Sequence, residues 1–223
     1  MKKIFLYLFV TSITLSGMSQ SSTFLADRVT GNFYRPEKQD IEGTPLLMSD
    51  YVPGVIYLKD GYKADKFLLN MDLYSNELIF KHEGNPLVVV NPIKEVVLQP
   101  AYGNAVLFRC GYLPVDKNTE TTLYQVLQDG PTSLLKLTKK YVKEVKAYNQ
   151  NPVKQFEQTE TYYIVKAGKQ PEKIKKDRES LIDTIGDGTG KLLAWAEKKK
   201  LKCKTEEDMK AVVKAFNEKT YTE

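Results

Sequence analysis

Val55-Ile56-Tyr57-Leu58-Lys59, followed directly by Asp60-Gly61, sets the reading of the chain. Five residues suited to a strand end in a dipeptide that supplies the positive φ angles of a tight hairpin. A strand, a turn and a return strand over 66–70 are therefore expected. The same grammar repeats downstream. Strand-like runs at 77–81, 87–90, 95–98 and 104–110 alternate with the turn residues 82–85 and with Asn91-Pro92. Runs at 121–127 and 132–137 then flank Asp129-Gly130-Pro131 as a second hairpin. Short strands at this regular spacing, rich in Val, Ile, Leu, Tyr and Phe, predict an antiparallel meander. The consecutive apolar residues at 87–90 further predict burial on both faces, as in a strongly twisted sheet or a small open barrel.

Upstream of this block, residues 20–49 are polar and broken by Gly31, Pro36, Gly43 and Pro45. They read as a lead-in segment with one short strand near Asn32–Tyr34. Residues 1–19 have the three parts of a secretory signal. Lys2 and Lys3 are followed by an apolar stretch from Ile4 to Ser16, and then by Gly17-Met18-Ser19 with small residues flanking the cleavage position. The apolar stretch is shorter than the roughly 20 residues of a bilayer-spanning helix. Cleavage before Gln20, export to the periplasm or the medium, and no transmembrane segment after signal removal are expected.

Downstream of the β-domain assigned to 50–146, the polar run 147–160 with Asn149-Gln150-Asn151-Pro152 reads as a linker. Region 161–223 then opens on Thr161-Tyr162-Tyr163-Ile164-Val165-Lys166, a strand with a partner expected at 172–175. Three short helices follow. Asp177 caps one that stops at Gly186, a second carries Leu192, Leu193, Trp195 and Ala196, and Thr205 caps a third. In the third, Met209, Val212, Val213 and Phe216 form the stripe of a docked amphipathic helix. The expected class is α+β: an antiparallel meander, then a β-hairpin and three C-terminal helices.

The order of these pieces, with the Tyr-Tyr-Ile-Val-Lys strand at 162–166 and Ala-Phe-Asn at 215–217, resembles a group of uncharacterised exported proteins of Bacteroidetes-type bacteria. The resemblance implies export and this arrangement. The group has no assigned activity, so no functional residues carry over.

Composition is that of an ordinary folded protein, 42% hydrophobic and 27% charged. Chemistry is harder to find. Gly186-Asp187-Gly188-Thr189-Gly190-Lys191 departs from a phosphate loop, with Ile185 at the first glycine position and Leu192 where Ser or Thr would hold magnesium. Asp183-Thr184-Ile185-Gly186 is an interrupted Asp-Thr-Gly, present once. His82 is the single histidine, and with Cys110 and Cys203 far apart in sequence it offers no metal set. Export would permit a disulfide between the two cysteines, and free buried thiols are the preferred reading because disulfide geometry is demanding. No catalytic, cofactor or metal residue is assigned.

Charge is asymmetric. Residues 20–131 carry 10 basic and 14 acidic residues, whereas 132–223 carry 21 and 14. A candidate partner-binding face is therefore drawn from Lys136, Lys139, Lys140, Lys143, Lys198, Lys199 and Lys200, with Tyr162 and Tyr163 as aromatic contact area. An envelope protein or an anionic envelope polymer is the expected partner, and nucleic acid is not. The expected role is an exported, non-catalytic binding protein. The alternatives are a small hydrolase with paired carboxylates, or a carrier of an apolar ligand inside the β-domain.

Overall fold

In the computed structural model, residues 23–26, 28–36, 40–146 and 151–221 are described. The signal expected over 1–19 lies outside them, as does the tip of the expected linker at 147–150. The described residues form β1 (Thr23–Ala26), β2 (Val29–Phe33), β3 (Val52–Leu58), β4 (Lys63–Asp72), β5 (Glu77–His82), β6 (Asn85–Val89), β7 (Ile93–Leu98), β8 (Val106–Arg109), β9 (Tyr124–Gln128), β10 (Thr132–Val145), β11 (Val153–Lys166) and β12 (Glu172–Ile174). Helices α1 (Arg178–Ile185), α2 (Lys191–Lys198) and α3 (Glu206–Glu218) follow. The class is α+β, and among the described residues the strands make one antiparallel sheet in the order β1-β2-β6-β5-β4-β3-β7-β8-β9-β10-β11-β12. No helix of the described residues is long and apolar enough to cross a membrane.

That order forces the sheet to roll. Strands β6 and β7 are separated by β5, β4 and β3, which in a flat sheet is four steps, or roughly 19 Å. Only Val90, Asn91 and Pro92 connect them, and an extended chain from Val89 to Ile93 reaches at most about 14 Å. The intervening strands must therefore curl until β6 and β7 face each other. In agreement, one apolar cluster gathers Val29, Ile56, Leu69, Phe80, Leu87, Val96 and Phe108, side chains of seven different strands. The roll is open: β6 is flanked by β5 and β2, β7 by β3 and β8, and no described strand pairs across from the β2 side to the β8 side.

Strand β3 carries the bend. Its register shifts between Gly54 and Ile56 against β4, and between Tyr57 and Leu58 against β7. Bulges of this kind sharpen twist and curvature. Gly54 is needed for close approach: a Cβ there would lie 2.6 Å from Leu69 Cδ1 and 2.7 Å from the Val97 carbonyl oxygen. The consecutive apolar run at 87–90 is buried on one face only. Leu87 and Val89 point inward, Val88 is half-buried and Val90 is 46% exposed, because the outer face of β6 borders a groove described below.

Two expectations are corrected. The lead-in holds two strands, β1 and β2, and its 42–50 stretch packs against the sheet. Asn70, fully buried, accepts from the Met48 amide and donates to the Met48 and Asp50 carbonyls. The linker expected over 147–160 is largely strand, since β11 begins at Val153 and pairs with β10 from Val145↔Val153 to Thr132↔Lys166. Its outer half, residues 153–160, has only Val153 and Phe156 as apolar residues, on opposite faces, so it lacks the apolar periodicity that marks a half-buried strand. The ribbon is fixed instead by backbone bonds to neighbouring segments. These run from Lys140 N to Leu73 O (3.0 Å), Glu42 N to Lys154 O (2.8 Å) and Phe156 N to Glu42 O (3.1 Å). Phe156 also meets Tyr74 edge-to-face.

The helices begin and end where the sequence signals them. Asp177 accepts from Ser180 N, Thr205 accepts from Asp208 N, and Gly186 closes α1 in the left-handed region. They bury Leu181, Leu192, Met209 and Val213 against Leu134, Ile164 and Ile174 of β10, β11 and β12. Cys203 is buried in this second core, Cys110 lies in the first half of the chain, and both are free thiols.

Gly54→Ala is expected to lose about 1–3 kcal/mol of stability through overpacking against β4 and β7, read from the midpoint of urea unfolding. An unchanged midpoint would show that β3 can draw away from β7 without cost.

Candidate functional site

A groove of about 620 Å³ lies along the seam of the roll, beside the β6–β7 connection. One wall is the β6–β7 connection, with Val88, Val90, Pro92 and Ile93; the other is the segment 117–123. That segment is held by its own bonds. Gly111 N donates to Glu120 O, Thr119 N donates to Thr122 Oγ1 at 3.0 Å, and the Thr119 and Thr121 hydroxyls share a bond at 2.9 Å. Asn76, in the β4–β5 turn at φ +60°, clamps it to the roll. Its amide nitrogen donates to Leu123 O at 3.1 Å and its oxygen accepts from Leu123 N at 2.8 Å.

Three lysines line the groove: Lys59, Lys117 and Lys139. Lys139 Nζ donates to Asn118 Oδ1 at 2.7 Å, and the buried Asn118 amide lies 3.4 Å from the Tyr163 hydroxyl. Lys59 is close enough to Cys110 for its charge to act on the thiol. Burial pushes that thiol up, against the smaller opposing pull of Lys59, and Cys110 Sγ donates to the Ile93 carbonyl. A thiol held protonated in this way is a poor nucleophile. Glu77 is the one carboxylate in the lining and is bonded to Ser75 Oγ at 2.8 Å.

The nine residues drawn from the sequence do not come together. On β10, alternation sends Lys136 and Lys140 to one face and Lys139 and Lys143 to the other. Lys136 pairs with Glu206 at 2.8 Å and docks α3 on the sheet. Lys140 Nζ donates to the Thr44 and Leu46 carbonyls, and Lys143 pairs with Glu157. Lys198, Lys199 and Lys200 are exposed at the C-terminal end of α2, where cations offset the helix dipole. Tyr162 and Tyr163 are corrected to core residues, 3% and 2% exposed. The Tyr162 hydroxyl lies 2.8 Å from Glu160 and 2.9 Å from Glu206, while Tyr163 stacks edge-to-face on Tyr124. Of the nine, Lys139 alone lines the groove. Lys59 and Lys117 are isolated in sequence within the acidic half, so charge density does not signal them, and only the roll brings them to Lys139.

The remaining motifs have structural explanations. In the 186–191 loop the Asp187 carboxylate accepts from Leu192 N at 3.1 Å and from Thr189 Oγ1 at 2.9 Å, so the start of α2 is already met by the chain's own anion. His82 ends β5. Among the described residues no three His, Cys, Asp or Glu side chains gather as a metal site. The chain matches no family model, no curated protein and no solved structure.

Burial alone would push the Glu206 carboxyl up, but the Lys136 ammonium and the Tyr162 hydroxyl, with the charge of Lys176, hold it below the ordinary range. A depressed folded value contributes stability that is present above the unfolded value, about 4.3, and is lost as pH falls through the folded one. Glu206→Gln should therefore lower stability at neutral pH and flatten the loss of stability below about pH 4.3, read from urea midpoints across pH. Parallel curves for the two proteins would show that the pair contributes nothing to acid sensitivity.

Proposed function

We propose that this is an exported, non-catalytic binding protein of the cell envelope or the medium, and that its ligand occupies the seam groove. The observation that carries the reading is the groove itself, about 620 Å³ and edged by cations and hydroxyls, within the size range of ligand pockets. Paired-carboxylate hydrolysis needs two carboxyl groups roughly 5–10 Å apart, and this lining offers Glu77 by itself. Asp72, the cross-strand neighbour of Glu77, is buried and already accepts from the Tyr34 hydroxyl and the Tyr74 and Ser75 amides, and two other carboxylate pairs are each bridged by a cation. Arg109 binds Glu95 and Asp129, and Lys136 binds Glu160 and Glu206. The Asp129 carboxyl is held below its ordinary range by the Arg109 hydrogen bond, against the cost of burial. That is the reverse of what a general acid requires. The carrier alternative has no support either, since Ile56, Leu69, Met71, Phe80 and Leu98 fill the interior of the roll, each 0% exposed.

Export is supported by the signal pattern of residues 1–19. N-terminal sequencing of the protein from the extracytoplasmic fraction should read Gln20 first; Met1 retained in the cytosol would overturn export. For the groove, the mature chain and Thr121→Trp, which places an indole in the opening, are compared as immobilised baits in envelope extract. The unaltered protein is expected to retain material released by salt, and the tryptophan variant, with an unchanged circular dichroism spectrum, is expected to retain several-fold less. Equal retention, or none by either, removes the groove from the function.

A further inference from the structure

We infer that the seam groove binds an acidic sugar: a hydroxylated ring carrying a carboxylate or phosphate group. The inference rests on the groove being the binding site and adds the ligand's chemical class. It comes from counting which polar groups of the lining are already committed. The amides are. Asn76 is used twice by Leu123, Asn91 accepts from Thr30 N and donates to Arg28 O, and Asn118 bridges Lys139 and Tyr163. Glu77 is bonded to Ser75.

What remains is weighted toward donors and positive charge: three ammonium groups stand against the single Glu77 carboxylate, which accepts from Ser75 and keeps further lone pairs. Among the described residues the ion-paired lysines are Lys63, Lys136, Lys143 and Lys214, a set that includes none of the groove's three. An ammonium has three protons to donate and no lone pair to offer, and Lys139 spends one on Asn118. The Thr122 hydroxyl accepts from Thr119 N, and the Thr119–Thr121 pair shares one proton between two oxygens, which leaves hydroxyl protons and lone pairs for a ligand. A matching ligand must be rich in acceptor oxygens, carry negative charge and offer hydroxyls. The facing wall of Val88, Val90 and Ile93 suits the apolar C–H face of a sugar ring, and a bare inorganic anion would leave that wall unused.

The test is titration calorimetry on the mature chain at low salt with five probes: a trigalacturonate, its fully methyl-esterified neutral form, glucose 6-phosphate, glutarate and inorganic phosphate. The acidic sugars should bind, the trigalacturonate at least tenfold more tightly than its ester. Glutarate and phosphate should bind at least tenfold more weakly than the better acidic sugar. Whichever of trigalacturonate and glucose 6-phosphate is tighter identifies the acidic group. Lys139→Gln and Lys59→Gln should each weaken that binding about tenfold, whereas Lys198→Gln, on α2, should leave it unchanged. Three outcomes overturn the ligand class: the ester binding as tightly as the acid, glutarate or phosphate matching the sugars, or no probe binding. If in those cases Thr121→Trp still abolishes retention of envelope material, the groove stands with a different ligand; if it does not, both readings fall.

Discussion

Three residues, Val90, Asn91 and Pro92, constrain everything else in the first half of the molecule. They join strands that lie four positions apart in one sheet, and a chain that short cannot cross a flat sheet. The connection is also fastened. Val90 N donates to Thr30 O, Lys59 N donates to Pro92 O, and the Asn91 side chain accepts from Thr30 N of β2 and donates to Arg28 O just before it. The connection therefore cannot swing away and let the sheet open. The bulges in β3 and the close approach at Gly54 are local consequences of this one distance limit.

The same constraint explains why a groove exists where it does. A roll that brings β6 round toward β7 and is not closed by strand pairing leaves a seam, and the self-bonded segment 117–123 lies along the groove there. Because that segment is fixed by Asn76 and by its own threonines, the lining is ordered before any ligand arrives. A ligand of the proposed kind would find little conformational entropy left to lose in that lining. The two cores share a single backbone frame. The β10–β11 ribbon runs from the helical core to the β4–β5 turn, so movement of the helices relative to the roll would break bonds at Leu73 and Glu42.

Elements whose signals are local were legible in the sequence. Val55–Gly61 marks the β3–β4 hairpin, Asp177 and Gly186 bound α1, and Thr205 opens α3, because caps and tight turns are decided by a few adjacent residues. The capping box at Thr205 shows where local reading stops. Asp208 has the spacing to reach back to its own N-cap, but its carboxylate accepts from Lys202 N and Cys203 N, tying down the segment before the helix. The outer half of β11 was missed for a related reason. A two-stranded ribbon supported at its backbone edges places no demand on side-chain hydrophobicity, so 153–160 carries the composition of a loop and the geometry of a strand.

The site was the least legible part, and the reason is electrostatic. Counting charge along the chain favours dense runs, and apart from Lys139 the lysines of those runs sit where a neighbour already meets the charge: Glu206 for Lys136, carbonyls for Lys140, Glu157 for Lys143 and the end of a helix dipole for Lys198–Lys200. Such lysines are structural because they are crowded with partners. The groove's cations come from both halves of the chain, Lys59 and Lys117 from the acidic one and Lys139 from the basic one. That none of the three has a carboxylate partner among the described residues follows from where the roll places them. Ligand-binding capacity follows charge left uncompensated in a concave place, and the sequence reports charge without reporting compensation.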